Sequence, residues 1–135
     1  MTLLVDTHVW LWFLLTPNRL SDSTLDALSD EGNALTLSVA SEWEIVVKHA
    51  LGRLSLPEPP SSFLPSRAAA TGCRVLSIEH RHILRLPELP AIHGDPFDRI
   101  LVAQALADDL IIVTADAQIV KYDVPTMWAT RAAGQ

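Results

Sequence analysis

Cysteine is almost missing from this sequence, and the one present, Cys73, has no partner for an internal disulfide; a reducing cytoplasm is the expected home. Long apolar runs are missing as well. The stretch "VWLWFLL" at 9–15 falls well short of the roughly 20 residues a bilayer demands. The segment before it, "MTLLVDTH", has no basic lead-in, so neither a membrane span nor a secretory signal is expected. Basic charge is in short supply: 10 Lys and Arg against 16 Asp and Glu leave a net charge of −6. That balance excludes a general nucleic-acid coat protein. It leaves room for an enzyme that meets nucleic acid through an acidic cleft, where a bound cation supplies the local positive charge. Repeats, low-complexity tracts and linkers are absent too, and "LPEPPSSFLP" at 56–65 reads as a loop entering a helix.

What is present is apolar and periodic. With 49% apolar and 19% charged residues over 135 positions, the chain reads as one domain, residues 1–135, able to bury a core without staples. "TLLVD" (2–6), "ALTLS" (34–38), "CRVLSI" (73–78), "LIIVT" (110–114) and "PTMW" (125–128) are predicted strands. Between them lie predicted helices at 7–15, 21–32, from Val39 to Gly52, 60–72, 79–89 with a break at Pro87, from Pro96, and 116–122. In the third of these, apolar residues at 39, 40, 43, 46, 47 and 50 form a helical stripe expected to face the core. Strands alternating with helices predict an α/β fold with a mostly parallel sheet covered on both faces. Ligands of such sheets bind beyond the carboxyl ends of the strands.

Four acids fall at such ends. Asp6 closes the first strand, Glu44 lies early in the helix after the second, Asp98 opens the helix from Pro96, and Asp116 follows "LIIVT". Each has a plain structural reading. Asp6 and Asp116 suit N-caps, "SEWE" (41–44) fits a capping box, Glu44 can pair with Lys48 one turn on, and acids favour helix starts anyway. In "HGDPFDRILVAQA" (93–105) Asp95 suits the cap before Pro96. Gathered at one end of a sheet, however, the acids would repel: a like-charge pair at about 4 Å costs on the order of 4 kcal/mol at an effective dielectric near 20. Such a cluster persists with bound cations or with some acids protonated. Oxygen-only donors suit Mg²⁺ or Mn²⁺ rather than zinc. Glu42 and Glu44 border the apolar stripe symmetrically, so periodicity does not choose between them; Asp95 and Asp98 are likewise both available.

"LLVDTHVWLW" (3–12), "LSVASEWEIVVKHALGRL" (37–54), "HGDPFDRILVAQALADDLIIVTAD" (93–116) and "VPTMW" (124–128) together resemble the PIN-domain family, and more narrowly the VapC-type toxins of prokaryotic toxin–antitoxin pairs. The resemblance runs over nearly the whole chain. It implies a three-layer α/β/α fold and an endoribonuclease whose quartet of acids surrounds Mg²⁺ or Mn²⁺. By position the quartet is Asp6, Glu44 rather than Glu42, Asp98, and Asp116. Gly94 departs from relatives that carry a polar residue between the His and the Asp, which bears on substrate contacts and not on the acids. The resemblance further implies RNA as substrate, a VapB-type antitoxin whose tail covers the cleft, and a homodimer.

On this reading Asp6 and Asp98 hold the ion directly, while Glu44 and Asp116 bind through water or complete a second site, and one of the latter takes the proton of the attacking water. Thr7 and Thr114 flank the acids, as candidates for bonding them or phosphate, or as ordinary backbone-satisfying hydroxyls. Lys48, Arg53 and Arg99 are candidate phosphate contacts, Arg99 being equally suited to an ion pair with Asp95. Trp10, Trp12 and Phe13, at helical spacing, are expected in the core or an interface, and His8 on the helix surface or interior. Competing readings are a catalytically silent PIN-like interaction module and an acidic phosphatase or receiver-like site. The latter lacks a second Asp two residues after Asp6, where His8 stands, and lacks a lysine closely after "LIIVT". A Ser-His-Asp arrangement using Ser41 and His8 has no supporting motif.

Overall fold

The computed structural model describes residues 1–131. Its five strands are β1 (Thr2–Val5), β2 (Ala34–Ser38), β3 (Arg74–Leu76), β4 (Ile111–Thr114) and β5 (Thr126–Trp128), in the sheet order β3-β2-β1-β4-β5. Every neighbouring pair is parallel, with Leu4 opposite Thr36 on one side and opposite Ile112 on the other. Seven helices connect them: α1 (Thr7–Leu15), α2 (Asp22–Ser29), α3 (Val39–Ala50), α4 (Pro60–Thr71), α5 (His80–Ile83), α6 (Pro96–Asp108) and α7 (Ala117–Val120). Short 3₁₀ turns at Pro17–Arg19 and Leu86–Glu88 fill two connections.

Alternation along the strands builds two cores, one on each face. Leu3, Val5, Leu35, Leu37 and Val113 face a layer formed by α1, α2 and α4, through Val9, Trp10, Leu28 and Phe63. Leu4, Leu76 and Ile112 face the other, where α6 contributes Ile100 to Ala103 and α7 Ile119. This is the three-layer α/β/α arrangement expected, with a sheet that is wholly parallel. Cys73 is buried in the first core as a free thiol, raised to about 11 by burial and Glu42, so it acts as a small apolar side chain.

The chain winds from β1 outward through β2 to β3, then returns to the opposite side for β4 and β5. The reversal lies between β1 and β4, and a crevice opens beyond the carboxyl ends of strands at such a switch point. No helix among the described residues is long and apolar enough to cross a membrane.

Local chemistry fixes what projects there. β1 stops at Val5, one residue before the predicted end; the Asp6 amide still donates to the Val113 carbonyl at 3.0 Å, while its side chain caps α1, accepting from the Thr7 N–H at 2.8 Å. Asp95 caps α6 through the N–H groups of Phe97 and Asp98, with Pro96 in the first helical position. Asp116 caps α7, accepting from Gln118 at 2.8 Å. The expected Ser41–Glu44 capping box does not form: Ser38 caps α3, accepting from Ala40, and Ser41 lies inside the helix. The α3 stripe is also corrected. The buried face of α3 is Ala40, Ser41, Glu44 and Ile45, while Trp43 (57% exposed) and Val46 (43%) look outward.

Candidate active site

Asp6 is the hub of the crevice. Its side chain is buried, Oδ1 accepts from the Thr7 amide and Oδ2 from the Thr114 hydroxyl at 2.8 Å. Thr114 closes β4, so this bond ties together the carboxyl ends of the two strands that define the switch point. The same hydroxyl accepts the Asp116 amide at 3.0 Å, setting the turn that brings Asp116 to the crevice. Burial pushes the Asp6 carboxyl up, Thr114 and His8 pull it down, and the negative charge of Glu44 pushes it up again.

Glu44 is buried and its Oε2 lies 2.7 Å from Lys48 Nζ. Rotation of α3 settles what periodicity left open, since Glu44 turns inward while Glu42 stays at the half-buried margin, raised by burial alone. Asp98, in the first turn of α6, is buried too. Its carboxyl is raised from 3.8 to about 7, first by burial and then by Asp6, Asp95 and Asp116, with a hydrogen bond from His93 as partial relief. Asp98 thus feels two other members of the quartet, and Asp6 feels the remaining one. Asp6 and Asp116 line a small cleft of about 240 Å³ with His8, Trp12, Ala115 and Ala117.

The substrate candidates divide. Lys48, Arg53 and Thr7 line an adjoining cleft of about 270 Å³ together with His8, Leu11, Ile45 and Leu54. Arg53 is exposed there, whereas Lys48 is engaged by Glu44, as the plain reading allowed. Thr114 bonds to an acid, but the Thr7 hydroxyl donates to Ser41 at 2.9 Å, so only its amide serves Asp6. Arg99 makes no ion pair with Asp95. Its guanidinium donates to the Pro90 carbonyl and the Tyr122 hydroxyl. Trp10 is fully buried, as expected, while Trp12 borders the acidic cleft under the Arg19 guanidinium, 4.6 Å from the ring centroid. Sequence reading missed His93, whose Nε2 lies 3.0 Å from Asp98 Oδ2; its position five residues before Asp98 was the available signal. Roomier clefts lie between α3 and α4 and at the opposite end of the sheet, but neither is lined by any of the quartet.

Among the described residues, no three carboxylate, imidazole or thiol side chains stand close enough together to enclose an ion. Glu44 and Asp98 are instead turned to Lys48 and His93. The donor set itself suits a hard divalent cation: oxygen only, with two carboxyls raised first by burial and further by neighbouring acids.

An acid-lined crevice at the switch point of a parallel sheet, covered by helices on both faces, defines a class of α/β protein. A family model described as the PIN domain matches residues 3–125, and the chain belongs to that family. It is similar to ribonuclease VapC16 of Mycobacterium tuberculosis, 39% identical over 61 residues, 45% of this chain and 43% of that protein, so this match spans less than half of the relative. It is 28% identical over 131 residues to ribonuclease VapC22 of the same organism, covering 94% of this chain and 98% of the relative. Among solved structures, VapBC2 from Rickettsia felis bound to a promoter DNA fragment aligns over 96% of this chain and 99% of that one (TM-score 0.72, 13% identity). VapBC-1 from nontypeable Haemophilus influenzae aligns over 94% and 97% (TM-score 0.65, 15% identity). At these identities the likeness to the solved structures is one of fold.

Proposed function

We propose that this chain is a metal-dependent endoribonuclease, the toxin of a VapBC-type pair, hydrolysing RNA phosphodiesters with Mg²⁺ or Mn²⁺. The observation that carries the reading is the placement of the acids: Asp6, Glu44 and Asp98 are buried beyond the strand ends, Asp116 lines the cleft with Asp6, and the Asp98 carboxyl is raised first by burial and then by Asp6, Asp95 and Asp116. So strained an acidic group is costly unless it serves to bind charge. Membership of the PIN family and likeness to chains named as VapC ribonucleases support the same reading.

Asp6 and Asp98 would hold the ion, with Glu44 and Asp116 acting through water or at a second site. When bound, the ion acidifies water, polarises the phosphate and offsets the charge that builds in the transition state. The protein's own part is positioning and proton transfer. Thr114 orients Asp6. Asp116 spends Oδ1 on the α7 cap and borders the open cleft, so it is the better-placed acceptor for the proton of the attacking water. Glu44 is engaged by Lys48 and suits that task less well. Arg53, with Lys48 once released from Glu44, would steady the phosphates beside the scissile one. The expected partners are RNA, a VapB-type antitoxin and a second copy of the chain, in the cytoplasm. The outward Trp43 and Val46 offer apolar surface for protein contact.

The Glu44–Lys48 pair, and the lack of three converging ligands among the described residues, favour the second reading, a silent PIN-like interaction module. One assay separates the two. Purified wild type should cut RNA with Mn²⁺ or Mg²⁺ and stop in EDTA, and Asp6→Asn should be inactive. Equal residual cleavage by wild type and Asp6→Asn would remove the acids from the chemistry, and no cleavage with any metal would favour the silent module.

A further inference from the structure

Asp98 is held from behind by a continuous chain of side chains drawn from three places in the fold. Arg99 Nη1 donates to the Pro90 carbonyl at 2.9 Å and to the Tyr122 hydroxyl oxygen at 3.1 Å. That hydroxyl lies 2.8 Å from His93 Nδ1, and His93 Nε2 lies 3.0 Å from Asp98 Oδ2. Tyr122, just beyond α7, is 4% exposed, so little water competes for its hydroxyl.

The order of donors follows from the head of the chain. A tyrosine hydroxyl has one proton to give. With the Arg99 guanidinium directed at the Tyr122 oxygen, that proton is free for His93 Nδ1. A neutral ring that accepts at Nδ1 carries its hydrogen on Nε2, where it donates to Asp98. Each link then runs from donor to acceptor and ends on a carboxylate, the charge-assisted and stronger kind of hydrogen bond. The opposite order would require Asp98 to supply a proton, which a carboxylate holding a cation does not have.

We propose that His93, set in its Nε2–H form by Tyr122 and Arg99, is a positioning residue that fixes the rotamer of Asp98, engaging Oδ2 and leaving Oδ1 for the cation. This rests on the reading of Asp98 as a cation-holding acid. Partners of this kind, one shell behind a ligand, change metal affinity by about 10–100-fold when removed. A side chain that only pinned the 90–95 loop would alter stability and leave affinity as it was.

The test joins ¹⁵N NMR of the His93 ring with Mn²⁺ calorimetry on wild type, His93→Ala, His93→Gln and Tyr122→Phe. With Mg²⁺ bound, so that Asp98 carries no proton, the wild-type ring is expected as the Nε2–H tautomer. Mn²⁺ affinity should drop by about 10–100-fold in His93→Ala and by a smaller factor in Tyr122→Phe. It should return most of the way in His93→Gln, whose amide N–H can reach the same oxygen. A hydrogen on Nδ1, or His93→Ala binding Mn²⁺ as wild type does, overturns the proposal. If His93→Ala fails to fold, the wild-type tautomer and Tyr122→Phe still decide. Wild type that binds no Mn²⁺ at millimolar concentration sinks the cation reading itself, and this proposal with it; normal wild-type binding with unaffected variants sinks only the role of His93.

Discussion

Replacing Asp98 by asparagine should stabilise the cation-free protein, by an amount that grows with pH. The carboxyl is raised from 3.8 to about 7, by burial and then by Asp6, Asp95 and Asp116. A carboxyl whose folded pKa lies above its unfolded value contributes fully to stability below about 3.8, and that contribution is lost as pH rises through about 7. Above that window the ionised group weighs against the fold. A displacement of this size corresponds to about 4 kcal/mol, and solvent access to the crevice discounts it to about 2–3 kcal/mol. Asp98→Asn keeps the shape and an oxygen to accept from His93 while removing the charge.

Urea unfolding in EDTA at about pH 5 and about pH 8 measures this, and the stability gap between variant and wild type should widen by about 2 kcal/mol over that range. Mn²⁺ at a hundredfold excess over its Kd should then restore about 2.7 kcal/mol to wild type and little to the variant. A gap that stays flat with pH, or a variant less stable than wild type at the higher pH, would refute the reasoning: neither burial nor the neighbouring acids would then be raising the Asp98 carboxyl in the folded state.

Lys48→Met leaves the buried Glu44 carboxylate without its partner and should cost about 1–3 kcal/mol in thermal unfolding, recovered in the double variant with Glu44→Gln. Thr114→Val deletes the hydroxyl that serves both Asp6 and Asp116; Mn²⁺ calorimetry should read an affinity lower by about tenfold. At the other end of α6, Asp108 accepts from Arg81 Nε at 2.9 Å and Nη2 at 3.0 Å and contacts the buried His82 Nε2 at 2.9 Å. The Arg81 hydrogen bond chiefly lowers its carboxyl to about 2, so its stabilisation is present above about 3.8 and lost as pH falls through about 2. Solvent screening limits it to about 1 kcal/mol; acid unfolding of Asp108→Asn should begin from lower stability and fall less steeply than wild type through that window.

Much of the fold was legible because local and global signals agree. Apolar runs of strand length alternate with capped helical segments, and Asp95-Pro96 marks the start of α6 where the structure has it. Parallel order followed from the alternation, and the switch point then named the end of the sheet to inspect. What sequence could not supply is rotation about helix axes and contacts across the chain. Arg99 is adjacent to Asp98 in sequence yet donates to Pro90 and Tyr122, while His93, five residues away, is the side chain that meets the acid.

Helix α3 shows why that limit falls where it does. Binary pattern says its apolar stripe should be inward, and a helix serving only the core would have turned that way. Instead Trp43 and Val46 are outside and Glu44 and Ser41 are inside. The inward face has to be made tolerable: Lys48 reaches back to Glu44, Thr7 donates to Ser41, and the Trp43 ring is partly covered by Phe97 edge-on at 4.9 Å. Those contacts offset the burial of a carboxylate rather than exceed the gain from burying a tryptophan. Ala40 and Ile45 are inside as well, so the orientation keeps apolar packing, and on the proposed function it also brings Glu44 within electrostatic reach of Asp6. On the same proposal, the Trp43 and Val46 left outward suit protein contact.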